Sequence, residues 1–131
     1  MSSRHSPFKS KGGFSRILNA ARYSAQGLSA AIRHEAAFRQ ELLLAIILTP
    51  AAFWVGQTAM QVMLLLCSLL VVLIVELLNS AVEAVADAVS LENNQLIGRA
   101  KDLGSAAVLL SLLMAAGLWI VCTLNHWYRI L

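Results

Sequence analysis

The sequence predicts an all-α integral membrane protein with three transmembrane helices and an N-terminal amphipathic surface helix, and three observations carry that fold class. Of the 131 residues, 59% are hydrophobic and only 13% charged, with a mean hydropathy of +0.72, a balance too oily for a water-soluble domain of this size. Three apolar stretches, approximately Ala36–Gly56, Met60–Val82 and Leu103–Leu124, come close to the roughly 20 residues a helix needs to cross a bilayer core. Ahead of them, residues 14–32 carry apolar side chains every three or four positions beside arginines, the pattern of a helix lying on a membrane surface.

Taken in order, residues 1–13 are rich in Ser, Lys and Gly and are expected to be a disordered tail. Phe14, Ile17, Leu18, Ala21, Ala25, Leu28 and Ile32 then mark one face of a helix over residues 14–34, with Arg16, Asn19 and Arg22 at other angles. A soluble helix that covers a cytoplasmic loop is the alternative for this segment. Residues 35–131 make up the transmembrane domain. Its first span is entered through Glu35-Ala36-Ala37-Phe38-Arg39-Gln40-Glu41, where Glu35 and Arg39 form an i, i+4 pair; read alone, these are equally well flanking charges. Pro50 should kink that span, and Trp54 at its end suits the aromatic belt of the outer interface, as do Trp127 and Tyr128 after the third span. On the third span Gly104, Ala107, Ser111 and Ala115 predict a small-residue ridge against which another helix can pack closely. Cys67 and Cys122 read as small buried hydrophobes. Three helices bury little of one another, so a homo-oligomer is expected.

Charge sets the orientation. Arg4, Lys9, Lys11, Arg16, Arg22 and Arg33 fall in the first 34 residues with no acid among them, which places the N-terminus in the cytoplasm by the positive-inside rule. The first inter-span connection, Val55–Gln61, is uncharged and suits the outside, the second holds Arg99 and Lys101 and suits the cytoplasm, and three spans then leave the C-terminus outside.

The chemistry concentrates where the second span ends. In Val75-Glu76-Leu77-Leu78-Asn79-Ser80-Ala81-Val82-Glu83, Glu76, Asn79, Ser80 and Glu83 stand at i, i+3, i+4 and i+7 and share one helical stripe. A carboxylate in hydrocarbon costs on the order of 3 kcal/mol, so the stripe calls for partners in a bundle interior, a cavity or a ligand; a protonated Glu76 hydrogen-bonded to a neighbouring helix is the plainer alternative. Glu76 and Glu83 are separated by roughly 10 Å along the axis, too far to share one metal ion, so distinct roles are expected. All seven acids, Glu35, Glu41, Glu76, Glu83, Asp87, Glu92 and Asp102, lie at the cytoplasmic ends of spans or in the cytoplasmic loop. Carboxylates converging beside Lys and Arg suit hard-metal and phosphate chemistry, in which Mg²⁺ takes one or two carboxylates and leaves the rest of its shell to water and phosphate oxygens. A phosphate-binding glycine loop and the protein-kinase signatures do not occur, His5, His34 and His126 lack metal-ligand spacing, and no nucleic-acid partner is expected. Spacing alone therefore gives a carboxylate site at the membrane edge without naming its substrate. An ion-coupled transporter using Glu76 as its proton site is an alternative of a different class, one that would need neither Lys101, Asp102 nor Mg²⁺.

The runs EAAFRQE over Glu35–Glu41, VELLNSAVEAV from Val75 and GRAKDLGSAAVLL from Gly98, together with Phe14-Ser15-Arg16 and Ala20-Ala21-Arg22-Tyr23-Ser24, give the chain a resemblance to the prokaryotic diacylglycerol kinase family of Gram-negative type over about residues 14–124. The resemblance implies a small kinase of the bacterial inner membrane, N-terminus cytoplasmic and C-terminus periplasmic, that assembles as a homotrimer with active sites between subunits. It implies transfer of phosphate from ATP, with Mg²⁺, to the primary hydroxyl of diacylglycerol, giving phosphatidic acid. By the same resemblance Glu76 is the base and Asn79 its polar neighbour, Glu35 and Glu83 bind the metal, and Lys101 and Asp102 bind the nucleotide, with Arg16, Tyr23, Glu92, Asn93 and Asn94 as further nucleotide contacts. Ala20, Ala21, Arg22, Tyr23, Ser24, Ala25, Ser105 and Trp119, with Glu76, correspond to lipid contacts. Ala25 departs from the Trp that relatives often carry, and Leu91-Glu92-Asn93-Asn94 replaces a more aromatic loop, which leaves the fine lipid and nucleotide contacts open. Similar Gram-positive proteins of the same fold phosphorylate undecaprenol, the runner-up substrate.

Overall fold

The structure is a computed structural model that describes residues 13–89 and 94–130. Those residues form α1 (Gly13–His34), α2 (Ala36–Val55), α3 (Ala59–Val89) and α4 (Gln95–Ile130). The disordered tail expected over residues 1–13 lies outside the described residues except for Gly13, which begins α1, and the contacts expected of Glu92 and Asn93 lie outside them as well. The chain divides after His34 into two compact units, α1 alone and α2–α4 together.

α1 keeps Phe14, Ile17, Leu18, Leu28 and Ile32 exposed and closes with Arg33 and His34 in its last turn, where positive charge complements the carbonyl end of the helix dipole. In the second unit, α2, α3 and α4 are each long and apolar enough to cross a membrane. The 20 residues of α2 span about 30 Å, matching a bilayer core, whereas the 31 of α3 and 36 of α4 extend to about 46 and 54 Å. Both longer helices therefore carry several turns beyond hydrocarbon. α3 is the central element, packed along α4 and against α2, while α2 and α4 share little contact. Much of the outward surface is apolar, with Leu43, Ile46, Ile47, Leu70, Leu109, Leu110 and Leu113 exposed, an arrangement suited to lipid and unsuited to water.

The apolar core lies toward the end of the bundle where α2 turns into α3: Ala52, Val55, Leu65 and Cys122 are buried together, with Leu66 and Trp119 against them. Hydroxyls inside the spans bond back to their own helices, Ser68 Oγ donating to the Leu65 carbonyl at 2.7 Å, Ser111 Oγ to Val108 at 2.8 Å and Thr49 Oγ1 to Ala45 at 2.7 Å. That is how a hydroxyl is satisfied where no water is available. α2 continues as one helix through Pro50.

The α2–α3 turn is tied down locally. The Gly56 amide donates to the Ala52 carbonyl at 2.9 Å, and a Cβ on Gly56 would meet that carbonyl oxygen and the Val62 side chain at 2.8 and 2.6 Å, so only glycine fits this close approach. The Gln57 amide donates to Gln61 Oε1 at 2.8 Å, Gln57 Nε2 reaches the Asn125 carbonyl at 3.5 Å, and the Trp54 and His126 rings lie 5.3 Å apart, tilted by 56°. α4 is thereby joined to the far ends of both other helices.

The small-residue ridge of α4 differs from expectation at one position. Ser111 and Ala115 are buried and Gly104 is half-buried, but Ala107 is exposed and Val108 takes its place. At 100° per residue, Val108 lies about 40° from Gly104 and about 20° from Ala115, whereas Ala107 lies about 60° from Gly104 and about 80° from Ala115 on the other side.

Candidate active site

The last turns of α3 build the site. Glu76 is 4% exposed and is the buried charged residue of the described chain. One turn on, Asn79 Nδ2 donates to Glu83 Oε1 at 3.1 Å, an i, i+4 bond that only a helix provides. Asn79 Oδ1, at the other end of the same amide, is buried without a hydrogen-bond partner among the described residues. It points at α4, where a Cβ on Gly104 would collide with it.

α2 contributes from its N-terminus. Glu35 is the N-cap residue, extended at φ −102° and ψ 109°, and its carboxylate stands at the positive end of the helix dipole without making a capping hydrogen bond. Glu35 and Glu83 both act electrostatically on Glu76, and Glu76 acts on Glu41. Four carboxylates from two helices therefore share one region. Positive charge comes from α4: Lys101 Nζ donates to Asp87 Oδ1 at 3.0 Å, with side chains 42% and 65% exposed, and Glu83 also acts on Lys101. A pair this exposed adds little to stability; what it fixes is the position of an ammonium beside the carboxylates.

The donor set suits one class of metal. Among the described residues no three His, Cys, Asp or Glu side chains gather into a ready-made metal cluster. A pair such as Glu35 and Glu83 matches Mg²⁺, whose remaining positions go to water and phosphate oxygens.

The residues singled out from sequence are partly gathered. Glu35, Glu76, Asn79, Glu83 and Lys101 fall in this region. Asp102, next to Lys101, instead lines an open polar hollow of about 820 Å³ at the start of α4 with Asn94, Gln95, Gly98 and Arg99, where Asn94 Oδ1 accepts from the Leu96 amide at 2.9 Å. Ser105 is exposed. Trp119 lines an apolar cavity of about 380 Å³ between α2, α3 and α4, walled by Leu48, Leu69, Val72 and Ala115. Arg16, Ala20, Ala21, Arg22, Tyr23, Ser24 and Ala25 belong to the α1 unit and are exposed there; Arg22 and Ala25 border a shallow hollow on α1 with Gln26, Ser29 and Arg33.

Three residues of the region are given no individual role in the site on sequence grounds, Glu41 and Asp87 being read only among the seven acids and Gly104 only as part of a packing ridge. Glu41 enters the same apolar cavity as Trp119, and its Oε2 is buried without a hydrogen-bond partner among the described residues, as is Trp119 Nε1. The available signal was its place one and a half turns inside the first span, too deep for a simple flanking charge. Asp87 is the partner of Lys101, and Gly104 is the neighbour of Asn79; neither cross-helix contact leaves a trace in local spacing.

Taken together, the apolar cavity is lined by Glu41, Glu41 lies within electrostatic reach of the buried Glu76, and Glu76 in turn feels Glu35 and Glu83. Such an arrangement can take a proton from a group that arrives through hydrocarbon while anionic groups are held from the water side. The sequence profile described as prokaryotic diacylglycerol kinase matches residues 22–123. The chain is 46% identical to the diacylglycerol kinase of Escherichia coli strain K12 over 114 residues, covering 87% of this chain and 93% of that one. It is 49% identical to the diacylglycerol kinase of Pseudomonas aeruginosa strain PAO1 with the same coverage, and 35% identical to that of Helicobacter pylori strain 26695 over 91% of this chain and 92% of the relative.

Proposed function

The chain belongs to the prokaryotic diacylglycerol kinase family, and from that membership we propose that it transfers the γ-phosphoryl group of ATP to the primary hydroxyl of diacylglycerol at the carboxylate cluster around Glu76, giving phosphatidic acid. The observation that carries the assignment of the site is Glu76 itself, a buried carboxylate within electrostatic reach of Glu41, which lines the apolar cavity, and of Glu35 and Glu83.

Glu76 accepts the hydroxyl proton as the lipid oxygen attacks. The new oxygen–phosphorus bond forms, the bond from the γ-phosphorus to the β–γ bridging oxygen breaks, and ADP leaves with that electron pair. Asn79 holds Glu83 by its 3.1 Å bond to Oε1, a bond that does not occupy the other Glu83 oxygen. Glu35 and Glu83 are the residues that would hold Mg²⁺; bound there, the ion would neutralise phosphate charge and align the triphosphate. Lys101 gives one of its three N–H donors to Asp87 and keeps two for phosphate oxygens. Phosphoryl transfer asks for little more than positioning and charge neutralisation, which accounts for so small a catalytic apparatus. Asp102 and Asn94 are assigned to the nucleotide together with Glu92, Asn93, Arg16 and Tyr23. Glu41, Ser105, Trp119 and the Ala20–Ala25 face of α1, amphipathic by its sequence, are assigned to the lipid.

The homotrimer belongs to the same reading, and the separation of Asp102 from the Lys101 side of α4 supports a site completed by a second subunit. The clustering of Lys and Arg ahead of the first span supports an inner-membrane protein with its N-terminus in the cytoplasm and its C-terminus in the periplasm.

The test is phosphorylation in mixed micelles with labelled ATP and Mg²⁺, offering diacylglycerol and undecaprenol in parallel. Labelled phosphatidic acid is expected. Product from undecaprenol alone would reassign the substrate, and no labelled lipid from either would end the kinase reading.

A further inference from the structure

We propose that Gly104 is a positioning residue for this reaction: by lacking a side chain it seats the Asn79 amide in the orientation in which Asn79 holds the Glu83 carboxylate. The inference rests on the reading of Glu83 as a metal and nucleotide ligand given above.

The two ends of the Asn79 amide face different helices. Nδ2 donates to Glu83 Oε1 on its own helix, and Oδ1 is buried against α4 without a hydrogen-bond partner among the described residues. Turning the amide over would set its carbonyl oxygen against a carboxylate, two acceptors with no proton between them, so the Glu83 bond fixes which atom faces α4. At the point of contact stands Gly104, where an added Cβ would collide with Oδ1 and lie 3.4 Å from Asn79 Cγ, yet keep 3.9 Å from Asn79 Cα.

Those distances separate a site effect from a packing effect. The obstructed atom is the end of a rotatable side chain, and the α3 backbone stays at ordinary contact distance. A methyl group at position 104 therefore turns the amide off Glu83 without prising the helices apart. Gly56 is the contrast, since a Cβ there meets the Ala52 carbonyl oxygen of the backbone, which cannot step aside. Alanine is also the better helix former in a helix interior, so Gly104→Ala has no backbone reason to weaken α4.

The experiment compares wild type, Gly104→Ala, Asn79→Ala, the double variant and Glu83→Gln as the full-length assembled protein. Three readouts are used: kcat for diacylglycerol, thermal stability of the assembly, and Mn²⁺ affinity in the presence of a non-hydrolysable ATP analogue, followed by the electron paramagnetic resonance signal of free Mn²⁺. Gly104→Ala is expected to melt no lower than wild type, to lose about tenfold or more in kcat and to bind Mn²⁺ severalfold more weakly. Adding it to Asn79→Ala should change neither quantity further, because the amide it displaces is already gone. Wild-type kcat and Mn²⁺ affinity in Gly104→Ala would overturn the proposal, and so would an equal loss with and without Asn79, or dissociation of the assembly in both Gly104→Ala proteins. The underlying reading fails separately, by an inactive wild type or by a Glu83→Gln protein with unchanged Mn²⁺ affinity.

Discussion

Glu76→Gln replaces a carboxylate oxygen by an amide nitrogen and alters almost nothing else. Glu76 is 4% exposed, and Gln has the same length and branching, so the substitution opens no cavity and overfills none. Three neighbouring carboxylates, Glu35, Glu41 and Glu83, lose a like-charged neighbour, so nothing in their electrostatics opposes folding of the variant. What is removed is the capacity to take the lipid hydroxyl proton. A positioned general base contributes about 10²–10⁴ in rate, which at 1.36 kcal/mol per tenfold is about 3–5 kcal/mol of barrier. The assay is initial phosphatidic acid formation by the purified, assembled variant in mixed micelles at saturating ATP and Mg²⁺. A fall in kcat of that size is expected, with KM for ATP within about threefold of wild type, because the nucleotide is held by other groups. Glu76→Asp keeps a base but draws it back by one methylene, and a misplacement of about 1 Å costs on the order of 10²-fold, so it should be impaired as well. A Glu76→Gln protein that keeps more than a tenth of wild-type kcat would remove Glu76 from the base role.

Other expectations address the rim and the core. Glu35→Gln and Glu83→Gln should each raise the Mg²⁺ concentration for half-activation by tenfold or more, measured by Mg²⁺ titration at fixed ATP; unchanged curves would count against ligation. Lys101→Met should raise KM for ATP at least tenfold while leaving KM for diacylglycerol and thermal stability close to wild type, since its exposed pair with Asp87 contributes little to the fold. Leu65, fully buried among Ala52, Val55 and Cys122, reports on packing far from the chemistry. Leu65→Ala should cost about 2 kcal/mol, the low end for such truncations because lipid already solvates apolar groups. It should lower the melting temperature of the detergent-solubilised protein and spare kcat at low temperature.

Much of this was legible in the chain because membrane helices announce themselves by composition and their polar stripes by period. The spans appear where the oily runs stand, and Glu76, Asn79 and Glu83 share a face because 3.6-residue periodicity requires it. Helix ends are another matter: α3 runs on to Val89 and α4 starts at Gln95, well outside the apolar limits of Val82 and Leu103, because hydropathy marks the edge of hydrocarbon and a helix does not stop there. Contacts between helices were not legible. Glu41 could face lipid, water or a cavity on the strength of its own heptad, and the cavity became visible only with α3 and α4 beside it. The meeting of Gly104 with Asn79 and of Lys101 with Asp87 depends on the relative rotation and height of two helices, which neither segment encodes alone. Ala107 gave way to Val108 for the same reason.

The turns of α3 and α4 that outrun the bilayer have a consequence for how such a protein can vary. Its chemical groups are mounted on continuous helices, so their mutual bearing is an angle set by counting residues. One residue inserted between Asn79 and Glu83 would swing Glu83 by about 100° relative to both Glu76 and Asn79, and Asn79 could no longer bridge to Glu83. A deletion would do the same in the opposite sense. Side chains along this stretch can be exchanged one at a time without altering that angle, whereas a change in the count of residues between them alters it at once.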